Sequence, residues 1–143
     1  MKNPGIYHLF VYGSLRSEFQ SPAYEYISRF FTLVCEAKVK GKIFDMGDYP
    51  AAVPASEDVF ITGELYIIKD ESEFSWAIGQ LDDYEGVLVE PGEIQLYRRE
   101  LSEIVTANGN FAAWMYWYNQ DVSGKPEIVS GDVIKYLEQM KKS

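Results

Sequence analysis

Hydrophobic positions recur along the chain in two rhythms, and each marks a different kind of element. A period of two runs from Thr32 to Lys40, where Leu33, Cys35, Ala37 and Val39 alternate with Thr32, Val34, Glu36, Lys38 and Lys40. That alternation predicts a strand buried mainly on the face that carries Cys35. Denser runs of aromatic, aliphatic and β-branched residues predict four more strands. They are Tyr7–Tyr12, interrupted only by His8; Val59–Ile68, which reads VFITGELYII; and Ile94–Val105 with Phe111–Tyr118, a hairpin turning at Asn108 and Gly109. Gly63, inside the second of these runs, marks a bulge or a close backbone approach.

A spacing of three and four residues, the helical rhythm, occurs three times. Ser21 and Pro22 read as cap and first turn of a helix near 22–31, with Ala23, Ile27, Phe30 and Phe31 on one side. Asp70 and Glu73 fit a capping box ahead of Phe74, Ala77, Ile78 and Leu81, which stand at i, i+3, i+4 and i+7. Ser130-Gly131-Asp132 precedes Val133, Leu137 and Met140, a short amphipathic helix near the end. The segment KIFDMGDYPAAVP carries Gly47, Pro50 and Pro54 and predicts a turn between two short extended pieces.

Several residues stand out against these patterns. Glu64 sits within an apolar strand, where a carboxylate is costly unless it is paired or faces water. Alternation turns it outward, and the competing reading makes it a second functional acid. Trp114, Tyr116, Trp117 and Tyr118 occupy both faces of one strand, so some fill a barrel and others lie outside it. Tyr24 and Tyr26 read as core or surface filler, and Cys35 as an inert small hydrophobe.

Composition narrows the classes. With 143 residues and 47% hydrophobic content the chain suits one core, hence a single domain over residues 1–143. A net charge of -9 argues against nucleic acid and against an anionic membrane surface as partners. One cysteine permits no intrachain disulfide, and with one histidine it cannot assemble the usual zinc ligand sets, so neither a metal nor another cofactor is expected. Without a signal-like segment or an apolar run of membrane-spanning length, a soluble cytoplasmic protein is expected; oligomeric state is not legible.

Candidate chemistry begins where the first strand ends. In YHLFVYGSLR the run breaks at Gly13 and Ser14, and a glycine leaving a buried strand opens backbone angles closed to other residues. Successive N–H groups then converge on an anion or oxyanion, although an ordinary tight turn has the same local sequence. FVYGSLR, YPAAVP, GELY, LDDYEG and YRR, at the intervals found here, resemble the gamma-glutamyl cyclotransferase-like family, which includes the gamma-glutamylamine cyclotransferases. The resemblance runs from about Tyr7 to Asp132. It implies an α+β fold, a small mixed β-barrel with peripheral helices, and a substrate-binding role for Tyr12, Gly13, Ser14 and Leu15. It also implies that Glu85 is the acid-base residue. Many members continue the first motif with a basic residue, glycine and asparagine, where this chain has Ser17, Glu18 and Phe19.

The implied reaction releases 5-oxoproline and a free amine from a small gamma-glutamyl substrate, whose α-amine attacks its own γ-carbonyl. Two alternatives stay open: hydrolysis by water, and a barrel that binds a small molecule without chemistry. Tyr116 is a candidate pocket wall, and Arg16, Arg98 and Arg99 are available to pair a carboxylate. Asp82 and Asp83, as like charges, and the negative end of the preceding helix are expected to raise the pKa of Glu85. Local sequence alone also fits a solvated acidic helix end capped by Gly86, and the resemblance selects the catalytic reading.

Overall fold

The computed structural model describes residues 6–13, 22–47, 50–85, 95 and 97–142, with the side chains of 22, 23, 84, 85 and 139–142 outside the description. In chain order the elements are β1 (His8–Val11), α1 (Pro22–Phe30), β2 (Phe31–Lys40), β3 (Lys42–Asp45), β4 (Pro50–Val53), β5 (Phe60–Ile68), α2 (Phe74–Glu85), β6 (Tyr97–Thr106), β7 (Gly109–Tyr118) and α3 (Val133–Lys142). Five strands close into a barrel in the order β1-β5-β2-β6-β7, while β3 and β4 form a separate two-stranded sheet. Barrel pairings are antiparallel except at the seam, where β1 runs parallel to β7 at Leu9 and Trp114. The Trp114 indole N–H donates to the Ile6 carbonyl there at 3.1 Å. This is the mixed barrel with peripheral helices that the family resemblance implies.

The β6–β7 hairpin turns where Asn108 and Gly109 predict it, with Thr106 paired to Gly109 and Gly109 at φ 119, a backbone region that side chains disfavour. Gly63 serves a close approach: a Cβ there would lie 2.6 Å from the Phe10 ring and against the Val11 carbonyl. The bulge falls in β2 instead. Phe31 and Leu33 pair with Ile68 and Tyr66, whereas Cys35 pairs with Leu65, so Val34 is the extra residue. The alternation expected across β2 therefore holds only beyond the bulge. Leu33 is 46% exposed, against expectation, while Ala37 and Val39 are buried and Cys35 is half-buried and free.

Opposite faces of the strands carry two cores. One gathers Phe10, Ala37, Val39, Ile61, Leu65, Ala113, Met115 and Trp117 with Ile43, Ala52 and Val133, and is covered by the β3–β4 hairpin and α3. The other gathers Leu9, Val11, Phe31, Tyr66, Tyr116 and Tyr118 under Ile27 of α1 and Phe74, Ala77, Ile78 and Leu81 of α2. All four residues of the predicted α2 stripe are thus buried. A 3₁₀ turn over Glu71–Glu73 leads into α2, and the Asp70 side chain accepts from the Ser72 N–H at 3.0 Å, so the side-chain cap runs through Ser72. Tyr26 is packing: its hydroxyl donates to the Ala77 carbonyl at 3.3 Å, joining α1 to α2.

Candidate active site

The apolar stripe of α2 does not stop at Leu81. One residue on, eight after Phe74, Asp82 occupies the next position of the same face and is buried, at 5% exposure. A carboxylate there needs partners, and the β6–β7 hairpin supplies them. Arg99 and Tyr116 are directly paired across the two strands. Arg99 donates through Nε to Asp82 Oδ1 at 2.7 Å and through Nη2 to Oδ2 at 3.0 Å, a bidentate fork. Tyr116 donates its hydroxyl to Asp82 Oδ1 at 2.9 Å. The Arg99 guanidinium lies 4.6 Å from the centre of the Trp114 ring.

A second link runs from this cluster to the end of β1. Tyr12 is buried, and its hydroxyl donates to the Tyr116 backbone carbonyl at 2.9 Å. Gly13, next along, is half-buried, and a Cβ on it would lie 3.2 Å from Cγ of Pro50. Its φ is outside the left-handed region, so what this glycine provides is space beside Pro50, not a backbone angle closed to other residues. Ser14, Leu15 and Arg16 lie outside the described residues, as does Gly86. Glu85 is the last residue of α2, about one helical turn beyond Asp82.

Tyr116, expected as a pocket wall, is buried with its hydroxyl given to Asp82. Arg99, expected to be available for a carboxylate, has an internal one; Arg98 donates to Glu100 at 2.9 Å and to the Tyr118 carbonyl at 3.1 Å. The pairing also revises the electrostatics around Glu85. Asp82 does not act as a bare like charge, because the Arg99 guanidinium balances it at hydrogen-bond distance. Asp83 is exposed.

Glu64 overturns the outward reading. It is 6% exposed and shares a face of β5 with Tyr66, whose hydroxyl donates to Glu64 Oε1 at 3.0 Å. Its register partner is Val11, the last residue of β1, which brings a buried carboxylate alongside the strand that leads to Gly13. Alternation fails here because β5 is covered on both faces from Gly63 to Tyr66.

Among the described residues no cluster of three or more His, Cys, Asp or Glu side chains has the arrangement of a metal site, and no helix is long and apolar enough to cross a membrane.

A family model described as gamma-glutamyl cyclotransferase, AIG2-like, matches residues 9–135. Among solved structures the chain is similar to YkqA from Bacillus subtilis, at 24% identity and a TM-score of 0.71, over 96% of this chain and 43% of that one. The chain thus spans less than half the length of YkqA. It is similar to the protein ytfP from Escherichia coli at 29% identity and a TM-score of 0.61, covering 90% of this chain and 97% of that one. An AIG2-like protein from Mus musculus shares the fold at 17% identity and a TM-score of 0.58, over 83% of this chain and 90% of that one. No curated protein sequence matches.

Proposed function

The chain belongs to the gamma-glutamyl cyclotransferase, AIG2-like family, and we propose that it is an enzyme of that type, converting a small gamma-glutamyl amine or amino acid to 5-oxoproline and a free amine. The observation that carries this reading is the hydrogen-bonded path Tyr12–Tyr116–Asp82. It ties the end of β1, where the substrate-binding backbone is expected, to the last turn of α2, where Glu85 stands.

In the proposed reaction the substrate's α-amine nitrogen bonds to its own γ-carbonyl carbon, forming a tetrahedral oxyanion. Collapse of that oxyanion breaks the bond to the leaving nitrogen and leaves a five-membered lactam. Glu85 takes a proton from the attacking amine and delivers it to the leaving one. Backbone N–H groups of the segment Tyr12, Gly13, Ser14 and Leu15 hold the substrate and meet the developing charge. Intramolecular attack needs no external nucleophile, and well-oriented reactions of this kind reach effective molarities on the order of 10⁵ M. Folding the substrate into the near-attack shape is then the largest task for the protein. A soluble cytoplasmic enzyme of one domain, working without metal or other cofactor, completes the proposal.

The test is mass spectrometry of the purified protein incubated with a panel of gamma-glutamyl compounds, with and without a chelator. The expected products are 5-oxoproline and the matching amine, unaffected by the chelator. Glutamate as the only acidic product identifies a hydrolase. Saturable binding without turnover across the panel identifies a binding module, and loss of activity with the chelator, restored by one cation, overturns the metal-free account.

A further inference from the structure

The end of α2 is built from groups that should loosen it. Its last turn, Asp82-Asp83-Tyr84-Glu85, carries three acids and no basic residue. Acids at a helix C-terminus oppose the macrodipole, and the last four carbonyls have no partner within the helix, so such an end tends to fray. The cation that the helix lacks comes from β6. Arg99 reaches Asp82 with both prongs of its guanidinium, at 2.7 and 3.0 Å, while stacked on Trp114. Tyr116 on β7, the direct cross-strand partner of Arg99, adds a third hydrogen bond to the same carboxylate. A single buried carboxylate is thereby held from two adjacent strands, in the turn that ends at Glu85.

We propose that Asp82, Arg99 and Tyr116 form a lock that positions the last turn of α2, and that Asp82 is a positioning residue for Glu85. This rests on the acid-base reading of Glu85. Net stability is a poor explanation for the cluster, because a buried ion pair is commonly matched or exceeded in stability by apolar side chains of similar volume. The apolar residues Phe74, Ala77, Ile78 and Leu81 already dock the body of the helix. What they leave undetermined is the direction of its final turn, and a bidentate fork with a third donor at a right distance restricts that direction as an apolar contact cannot. The same three residues answer the fate of Tyr116: it acts on the site through Asp82, with its own carbonyl held by Tyr12.

The experiment compares Asp82→Asn, Tyr116→Phe, Arg99→Lys and Arg99→Gln with wild type and with Glu85→Gln. The readouts are steady-state kinetics on a turned-over gamma-glutamyl substrate, affinity for a non-reactive analogue, and amide hydrogen exchange along α2. Asp82→Asn is expected to lower kcat by about 10- to 100-fold, the scale of a small misplacement of a reacting group, with analogue affinity within a few-fold. Exchange should quicken in the last turn alone. Tyr116→Phe, the mildest change, should lower kcat by a few-fold with KM unchanged, and Arg99→Lys, which keeps the charge but loses the fork, should fall between wild type and Arg99→Gln. Unchanged kcat and unchanged exchange in Asp82→Asn and Tyr116→Phe, beside an inactive Glu85→Gln, overturn the lock and leave the acid-base assignment intact. An equal loss of kcat and analogue affinity in Tyr116→Phe also overturns it, in favour of direct substrate contact. If Glu85→Gln turns over as wild type does, the assignment of Glu85 fails, and positioning by Asp82 fails with it, whatever the exchange shows. Should Asp82→Asn not fold, Tyr116→Phe and Arg99→Lys decide.

Discussion

The two faces of the strands are built on different principles. Beneath the β3–β4 hairpin and α3 the core is mostly hydrocarbon, with alanines at 37, 52 and 113 set against Phe10, Met115 and Trp117 and with Tyr12 as its one buried tyrosine among the described residues. Beneath α1 and α2 it is lined by tyrosines, and Glu64 and Asp82, the two buried acids among the described residues, both lie on that side, beside Tyr66 and Tyr116. Buried carboxylates cost free energy unless hydrogen-bonded, and each has a tyrosine hydroxyl within 3.0 Å. The apolar face holds the barrel together; the tyrosine face uses part of that stability to keep polar groups in fixed places near the ends of β1 and α2.

That division breaks or stands on a pair of variants. Ile61→Ala, on the apolar face and fully buried, should cost about 2–5 kcal/mol of stability by denaturant unfolding while the folded fraction keeps its kcat. Glu85→Gln should do the reverse, with turnover lower by on the order of 10² or more and melting unchanged or slightly raised. If Glu85→Gln stays within a few-fold of wild type while Asp83→Asn or Glu64→Gln is inactive, the proton shuttle is a different carboxylate.

Next in size is the junction at the end of β1. A Cβ at Gly13 sits 3.2 Å from Pro50, so Gly13→Val overpacks the junction at a cost of about 1–3 kcal/mol in stability, and the backbone shift it forces beside the proposed substrate-binding segment should weaken binding of a non-reactive substrate analogue by roughly 10-fold or more. Ser14→Ala should bind within a few-fold of wild type if backbone N–H groups are the donors. Calorimetric titration of both variants checks this, and equal losses would argue for the serine hydroxyl.

The smallest effect is expected on the other side of the barrel. Tyr136 of α3 donates to Asp45 at 2.7 Å, and the Gly47 N–H donates to the same carboxyl at 2.8 Å. These bonds hold Asp45 below the ordinary aspartate value of 3.8. A depressed pKa contributes stability that is present above the unfolded value and is lost as pH falls through the folded one. Tyr136→Phe should therefore melt slightly below wild type at neutral pH, and the gap should close as the solution is acidified below about 3.8. A gap independent of pH would assign the loss to packing of α3.

Most of the architecture was legible in the chain. Alternation, apolar runs and the Asn108-Gly109 turn located the strands, and spacings of three and four located the helices, because burial of one face per element imposes those periods directly. YGSL and LDDYEG nominated Gly13 and Glu85 through family resemblance. The burial of Glu64 and the bulge at Val34 were not legible, since periodicity assumes one covered face and a continuous register, and β5 and β2 depart from each in turn. Nor was the pairing of Asp82, although a signal existed: the stripe Phe74, Ala77, Ile78, Leu81 continues to Asp82, and a carboxylate on a buried stripe calls for a cation. Which cation it meets depends on barrel closure. Arg99 is 17 residues from Asp82, Tyr116 is 34, and Tyr12 is 104 from Tyr116. Local sequence sets which side of an element faces inward, because that depends on spacing within one segment. Which residue stands opposite is set by strand order and register, and these are decided only when all five strands compete for the same neighbours.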